Sequence, residues 1–121
     1  MRYLLLIYAD EAEMRTKPLE AAMECVRAAQ GYDEELKAKG HFIASHGLEW
    51  PSEATTLRLK SGRIVSTDGP FSETKEQLLG FLLIEAEGKD EAFALAARLP
   101  MLATGSTVEL RAIEDLTGDA F

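Results

Sequence analysis

Residues 2–9, RYLLLIYA, are apolar at nearly every position rather than at every second one. That is the pattern of a strand covered on both faces. The polar stretch DEAEMRTKP follows and reads as a loop, with Thr16 as a helix N-cap and Pro18 in a first helical turn. From Leu19 the apolar positions recur at helical spacing: Leu19, Ala22, Met23, Val26, Ala29, Tyr32 or Asp33, and Leu36. Glu20, Glu24, Arg27 and Lys37 take the opposite side, so the spacing predicts an amphipathic helix ending at Gly40, with Gly31 as a point of bending. Residues 41–49 predict a second strand with Phe42, Ala44, His46 and Leu48 on one face, broken by WPSE. Residues 54–67, ATTLRLKSGRIVST, predict a hairpin turning at Ser61-Gly62. Residues 78–86, entered from Gln77, are apolar enough for a buried strand. Asp90 is placed to cap a helix over 91–99 that Pro100 stops, with Phe93, Ala96 and Ala97 on its apolar side. A loop with Gly105 leads to a last strand, 107–113, with Val108, Leu110 and Ala112 on one face and Glu109 and Arg111 on the other. The tail EDLTGDAF is expected to be peripheral.

The order is β-α-β-(β-β)-β-α-β. Without the hairpin it is the split βαββαβ pattern of ferredoxin-like α+β folds. Two helices cover one face of such a sheet. Tyr3, Leu5, Ile7, Leu79, Phe81 and Leu83 suggest that both faces are apolar. A bare apolar face is unusual in a monomer, so a second copy related by two-fold symmetry is expected to cover it.

The length of 121 residues suits a single domain, 1–121, and 46% apolar residues suffice for a core. The net charge of −8 repels nucleic-acid phosphates and anionic lipid, which disfavours a nucleic-acid or membrane partner. The one cysteine, Cys25, allows no intrachain disulfide. The apolar run in MRYLLLIYAD is too short for a signal-peptide core or a membrane span. Together these features imply a cytoplasmic protein. No GxGxxG, Walker-type loop or GxSxG context occurs, so no dinucleotide or nucleotide cofactor is expected. His41 and His46 fall on opposite faces of one strand, and with no cysteine cluster no metal site is expected.

The segment DGPFSETKEQLLGFLLIEA, residues 68–86, resembles the DGPF branch of the YCII-related proteins. MRYLLLIYADE, SEATTLRLKSGRIVSTDGPF and ARLPMLATGSTVELR fit the same pattern in the same order, so the resemblance covers nearly the whole chain. It implies a dimeric α+β barrel of ferredoxin-like subunits with the hairpin inserted. In some members a histidine of the first helix and an aspartate before the proline ending the second helix are thought to act. Here Ala28-Ala29-Gln30 and Leu99 stand in those places, so that chemistry is not carried over. Members are often encoded beside, or fused to, extracytoplasmic-function sigma factors, which implies an alternative role as an accessory or sensing module.

Asp68-Gly69-Pro70 is ordinary turn chemistry. Its functional reading places Asp68 at the mouth of a pocket. Glu73, Lys75 and Glu76 read equally as a solvated loop with a surface ion pair. The resemblance makes Glu73 and Lys75 part of a motif in a loop, which points to a site or an interface. A partly buried Glu73–Lys75 pair would suit proton transfer. His46 on its apolar strand face is a lesser proton shuttle or an interface residue. Tyr8, sharing a face with Leu4 and Leu6, brings a hydroxyl to a rim. Arg58 and Arg111 are carboxylate binders if they face a cleft, Phe71 is a ligand contact within the motif, and Trp50 is a pocket wall or dimer anchor. The expectation is a homodimeric small-molecule-binding protein with acid–base, lyase- or isomerase-like chemistry. Asp68 or Glu73 would be the base and Lys75 the electrostatic partner.

Overall fold

In the computed structural model, which describes residues 1–118, the first apolar run forms strand β1, Arg2–Asp10. The remaining strands are β2 (Phe42–Gly47), β3 (Thr55–Lys60), β4 (Arg63–Asp68), β5 (Glu76–Glu85) and β6 (Thr107–Ala112). The helices are α1 (Glu11–Arg15), α2 (Leu19–Ala38) and α3 (Lys89–Ala96), with 3-10 turns at Pro51–Glu53 and Pro100–Thr104. The chain is α+β with antiparallel sheets. Four strands pair in the order β2-β5-β1-β6, compatible with a ferredoxin-like fold, and β3 and β4 pair only with each other. Residues 119–121, at the end of the tail and of the expected domain 1–121, lie outside the described residues.

The strand register sorts the sheet into two faces. Tyr3 and Leu5 of β1, Leu82 and Ile84 of β5, and Val108 and Leu110 of β6 share one face. On it Tyr32 and Leu36 of α2 and Ala92, Leu95 and Ala96 of α3 close the core. The Tyr32 hydroxyl donates to the buried Leu95 carbonyl at 2.7 Å and so ties α2 to α3. Arg98 reinforces this tie, with its guanidinium 5.3 Å from the Tyr32 ring centre and 2.6 Å from Glu35. Leu4, Leu6, Phe81 and Leu83 share the other face, with Ala44 and His46 of β2.

Several local expectations change. The polar stretch after β1 contains helix α1. Asp10 Oδ1 accepts from the Ala12 N–H at 3.0 Å as its N-cap, Glu11 and Glu13 sit in its first turn, and Thr16 closes it rather than opening α2. None of α1 is buried, so no apolar period marks it. A bulge between Phe42 and Ala44 puts Phe42 on the core face and leaves Ala44 and His46 on the opposite face, so these residues do not share one face. Gly88, not Asp90, occupies the N-cap of α3. With this earlier start Ala92, Leu95 and Ala96 face the core, and Phe93 is exposed. In α2 only Tyr32 and Leu36 are buried, while Leu19, Met23 and Val26 at its N-terminal half are exposed.

Candidate functional site

The loop from β4 to β5, residues 68–76, is held by its own polar groups. At its start Gly69 has a φ of +98°, a conformation a side chain would strain. The Gly69 N–H donates to the Ala54 carbonyl at 2.7 Å, and the Thr56 hydroxyl donates to the Gly69 carbonyl at 2.9 Å. These bonds pin the turn to the root of β3. At its end the Gln77 amide reaches back, donating to the carbonyls of Ser72 (2.6 Å) and Thr74 (2.7 Å). The Thr74 hydroxyl donates to the Glu76 carbonyl at 2.8 Å. The loop therefore has a defined path although most of its residues are exposed.

A second anchor lies opposite. The Glu11 carboxylate accepts from the Ser52 N–H (3.1 Å), the Ser52 hydroxyl (2.7 Å) and Arg15 Nε (2.7 Å). These bonds, the Ser52 hydroxyl foremost and Arg15 next, hold Glu11 below the usual carboxylate range. They fasten the Pro51–Glu53 turn to α1. The Arg15 guanidinium lies 4.7 Å from the Trp50 ring centre, which orients that indole.

Between these anchors the loop walls two adjoining clefts. One, of about 710 Å³, is largely aromatic and apolar, with Tyr8, Leu48, Trp50, Phe71 and Leu78. The other, of about 390 Å³, is charged, with Asp10, Glu11, Asp68, Glu73 and Lys75. Pro51, Pro70, Ser72, Thr74 and Gln77 border both. Tyr8 of the first cleft and Lys75 of the second both border a third depression, of about 650 Å³, beside Asp10 and Glu76.

Asp68, Glu73 and Lys75 are thus brought to one cleft, all three exposed. Glu73 is not the partner of Lys75. Lys75 Nζ lies 3.7 Å from Asp10 Oδ2, and the Asp10 side chain is only 13% exposed against 78% for Lys75. A pair this open contributes about 0–1 kcal/mol to stability. Asp10 and Glu11 did not stand out in the sequence. Their one signal is an aspartate followed by an acidic first turn, the N-terminal pattern of α1.

Tyr8 and Phe71 line the aromatic cleft. The Tyr8 hydroxyl donates to Glu109 Oε1 at 3.2 Å. Burial, then the bond and charge of Glu109, push the Tyr8 phenol pKa above its ordinary value, so the hydroxyl keeps its proton and acts as a donor. Arg58 reaches the site only through Phe71, its guanidinium 4.8 Å from the ring centre. His46 and Arg111 lie on the helix-free sheet face, in register with Phe81 and Leu4. His46 makes a ring contact with Phe81 at 5.7 Å. Neither lines the two clefts at the loop. Gln30 borders a separate cavity of about 470 Å³ between α2 and the sheet, and Leu99 is buried in the core. Among the described residues no group of three or more His, Cys, Asp or Glu side chains is placed to hold a metal ion. Nor, among them, is any helix long and apolar enough to cross a membrane.

The family model of the YCII-related domain matches residues 1–117. An uncharacterised protein of Rhizobium meliloti (strain 1021) is 35% identical over 99 residues, covering 82% of this chain and 80% of that protein. The chain belongs to the YCII-related family.

Proposed function

We propose that this YCII-related protein is a homodimeric, cytoplasmic small-molecule-binding protein whose ligand occupies the clefts walled by residues 68–77. The observation that carries this reading is the placement of the hydrogen-bonded loop between an aromatic cleft and a charged one. Small-molecule sites combine such an apolar wall with a few fixed polar groups. In this reading Trp50, Tyr8 and Phe71 of the first cleft are the walls for a flat ring, and the Tyr8 hydroxyl and the charged cleft take its polar substituents. Acid–base chemistry there falls to Asp68 or Glu73 as base, with Lys75 stabilising negative charge. No cofactor is called for. In this reading the ferredoxin-like subunit pairs with a second copy as a dimeric α+β barrel. The sheets face each other through Leu4, Leu6, Phe81 and Leu83, the face that carries no helix.

A thermal-shift screen with small metabolites and hydroxylated aromatic acids tests the reading, on the wild type and on Glu73→Gln/Lys75→Met. A compound that raises the melting temperature of the wild type and not of the variant supports a ligand site at the loop. No shift with any compound, and a variant that loses its dimer in size-exclusion chromatography, would leave the loop an assembly element. It would turn the reading to the accessory role beside an extracytoplasmic-function sigma factor.

A further inference from the structure

The hydrogen bonds that shape the loop also decide what its clefts have left for a ligand. The Tyr8 hydroxyl gives its proton to Glu109 at 3.2 Å, which leaves its oxygen as an acceptor. The Thr56 hydroxyl is taken by the Gly69 carbonyl, and the Thr74 hydroxyl by the Glu76 carbonyl. With the Thr74 proton in use, the Ser72 hydroxyl is the donor in their 3.3 Å contact. The N–H groups of the Gln77 amide go to the carbonyls of Ser72 and Thr74, so its Oε1 is what remains. On the facing wall the Ser52 hydroxyl donates to Glu11. The side-chain donors left along the two clefts are the Thr55 hydroxyl, the Trp50 indole N–H and Lys75, and Lys75 is paired with Asp10. The side chains of these walls therefore accept far more hydrogen bonds than they can give.

The charge has the same bias. Glu49, Glu53 and Glu76 border the aromatic cleft, and Asp68 and Glu73 the charged one. None of the five has a cation within salt-bridge distance among the described residues. Arg15 and Arg58 lie against the Trp50 and Phe71 rings but border neither cleft. An anionic ligand would meet these carboxylates at close range and find few donors. A bare metal ion fits no better, since among the described residues no three His, Cys, Asp or Glu side chains gather at one point. The acceptors are instead spread beside an aromatic wall, which suits a cation with an apolar body. We infer that the ligand of these clefts is an organic cation, an aromatic ring bearing a protonated amine. The ring lies against Tyr8, Trp50 and Phe71, and the ammonium donates to the carboxylates and acceptor oxygens around them. The inference rests on the loop site proposed above and sets the charge of its ligand.

Benzylamine, benzyl alcohol and benzoate carry one ring with a positive, a neutral and a negative head, and together they test this. Their binding to the full chain is followed by titration calorimetry and by the emission of Trp50, the one tryptophan, which borders the aromatic cleft itself. The variant Glu49→Gln/Glu53→Gln removes two exposed carboxylates whose side chains make no bond among the described residues, so it keeps its fold, which circular dichroism checks. Benzylamine at millimolar concentration is expected to shift the Trp50 emission and to bind about tenfold or more tightly than the other two. Its affinity falls with salt, and falls by about fivefold in the variant, as the loss of a close unit charge in water requires. Benzyl alcohol or benzoate that shifts Trp50 as readily as benzylamine overturns the cation and leaves the loop site standing. Benzylamine that gives heat without moving Trp50, or binds the variant like the wild type, is held by the acidic surface at large and overturns the inference. No binding by any of the three overturns the inference and the ring site together.

Discussion

Gly80 lies where three strands meet, opposite Ile7 on β1 and Gly47 on β2 and next to the irregularity in the β1–β5 ladder. A Cβ there would sit 2.9 Å from the His46 carbonyl oxygen and 3.3 Å from the Gly47 Cα. Both atoms are backbone, so no side-chain rotation relieves the contact, and β2 and β5 must separate by a few tenths of an ångström. Overpacking of this kind costs ~1–3 kcal/mol. Stiffening the unfolded chain offsets ~0.4–1 kcal/mol of that. Gly80→Ala is therefore expected to destabilise the protein by about 1–2 kcal/mol, lowering Tm by roughly 4–8 °C for a chain of this size. Gly31→Ala is the control. It lies mid-helix in α2 with nothing within 4 Å of the added Cβ, and is expected to gain about 0.5–1 kcal/mol. Urea titrations followed by circular dichroism, at one protein concentration for all variants, compare the two. A Gly80→Ala protein as stable as Gly31→Ala, with the same slope, would refute the claim that backbone contact excludes a side chain at this crossing.

Further outcomes follow from two side chains, Tyr32 and Glu11. Tyr32→Phe leaves the buried Leu95 carbonyl without its donor and is expected to cost about 1–2 kcal/mol in the same urea assay, with a neutral result ruling out the hydroxyl as a helix tie. Burial raises the pKa of the Tyr32 phenol above its ordinary 10.0, so its contribution is whole below pH 10.0 and is lost as pH rises through the higher folded value; a spectrophotometric phenol titration that tracks alkaline unfolding checks this. Glu11 is held below 4.5, so its contribution is whole above pH 4.5 and is lost as pH falls through the lower folded value. Trp50 is the one tryptophan in the chain, and its emission should shift on acidification as the Ser52 and Arg15 contacts loosen. Glu11→Gln should show the shifted emission already at neutral pH, and an unchanged spectrum in that variant contradicts the anchor.

The elements that a period marks were legible in the chain. The four strands of the main sheet, α2 and the paired strands β3 and β4 follow from alternation, helical spacing and the Ser61-Gly62 turn. What periodicity missed was structure that buries nothing or breaks the count. Helix α1 is held by a cap and an Arg15–Glu11 pair rather than by packing. The bulge after Phe42 flips the face of every residue beyond it, which a two-residue count cannot foresee. The single-face stripe of α2 was correct in spacing, but only its second half meets the sheet.

The site was legible as a stretch of chain but not as a set of partners. Asp68, Glu73 and Lys75 were singled out by type and motif, and the fold does bring them to one cleft. Their neighbours come from the end of β1 and from the turn after β2, and no spacing along the chain announces that Asp10 will meet Lys75 or that Glu11 will hold Ser52. The residue that sets the path of the loop is Gln77, a neutral amide at the start of β5, because two carbonyls within six residues face its donors. The motif thus divides its labour. Its neutral members Gly69, Thr74 and Gln77 shape the wall, and its charged members border the cleft, Asp68 and Glu73 exposed there and Lys75 paired with Asp10.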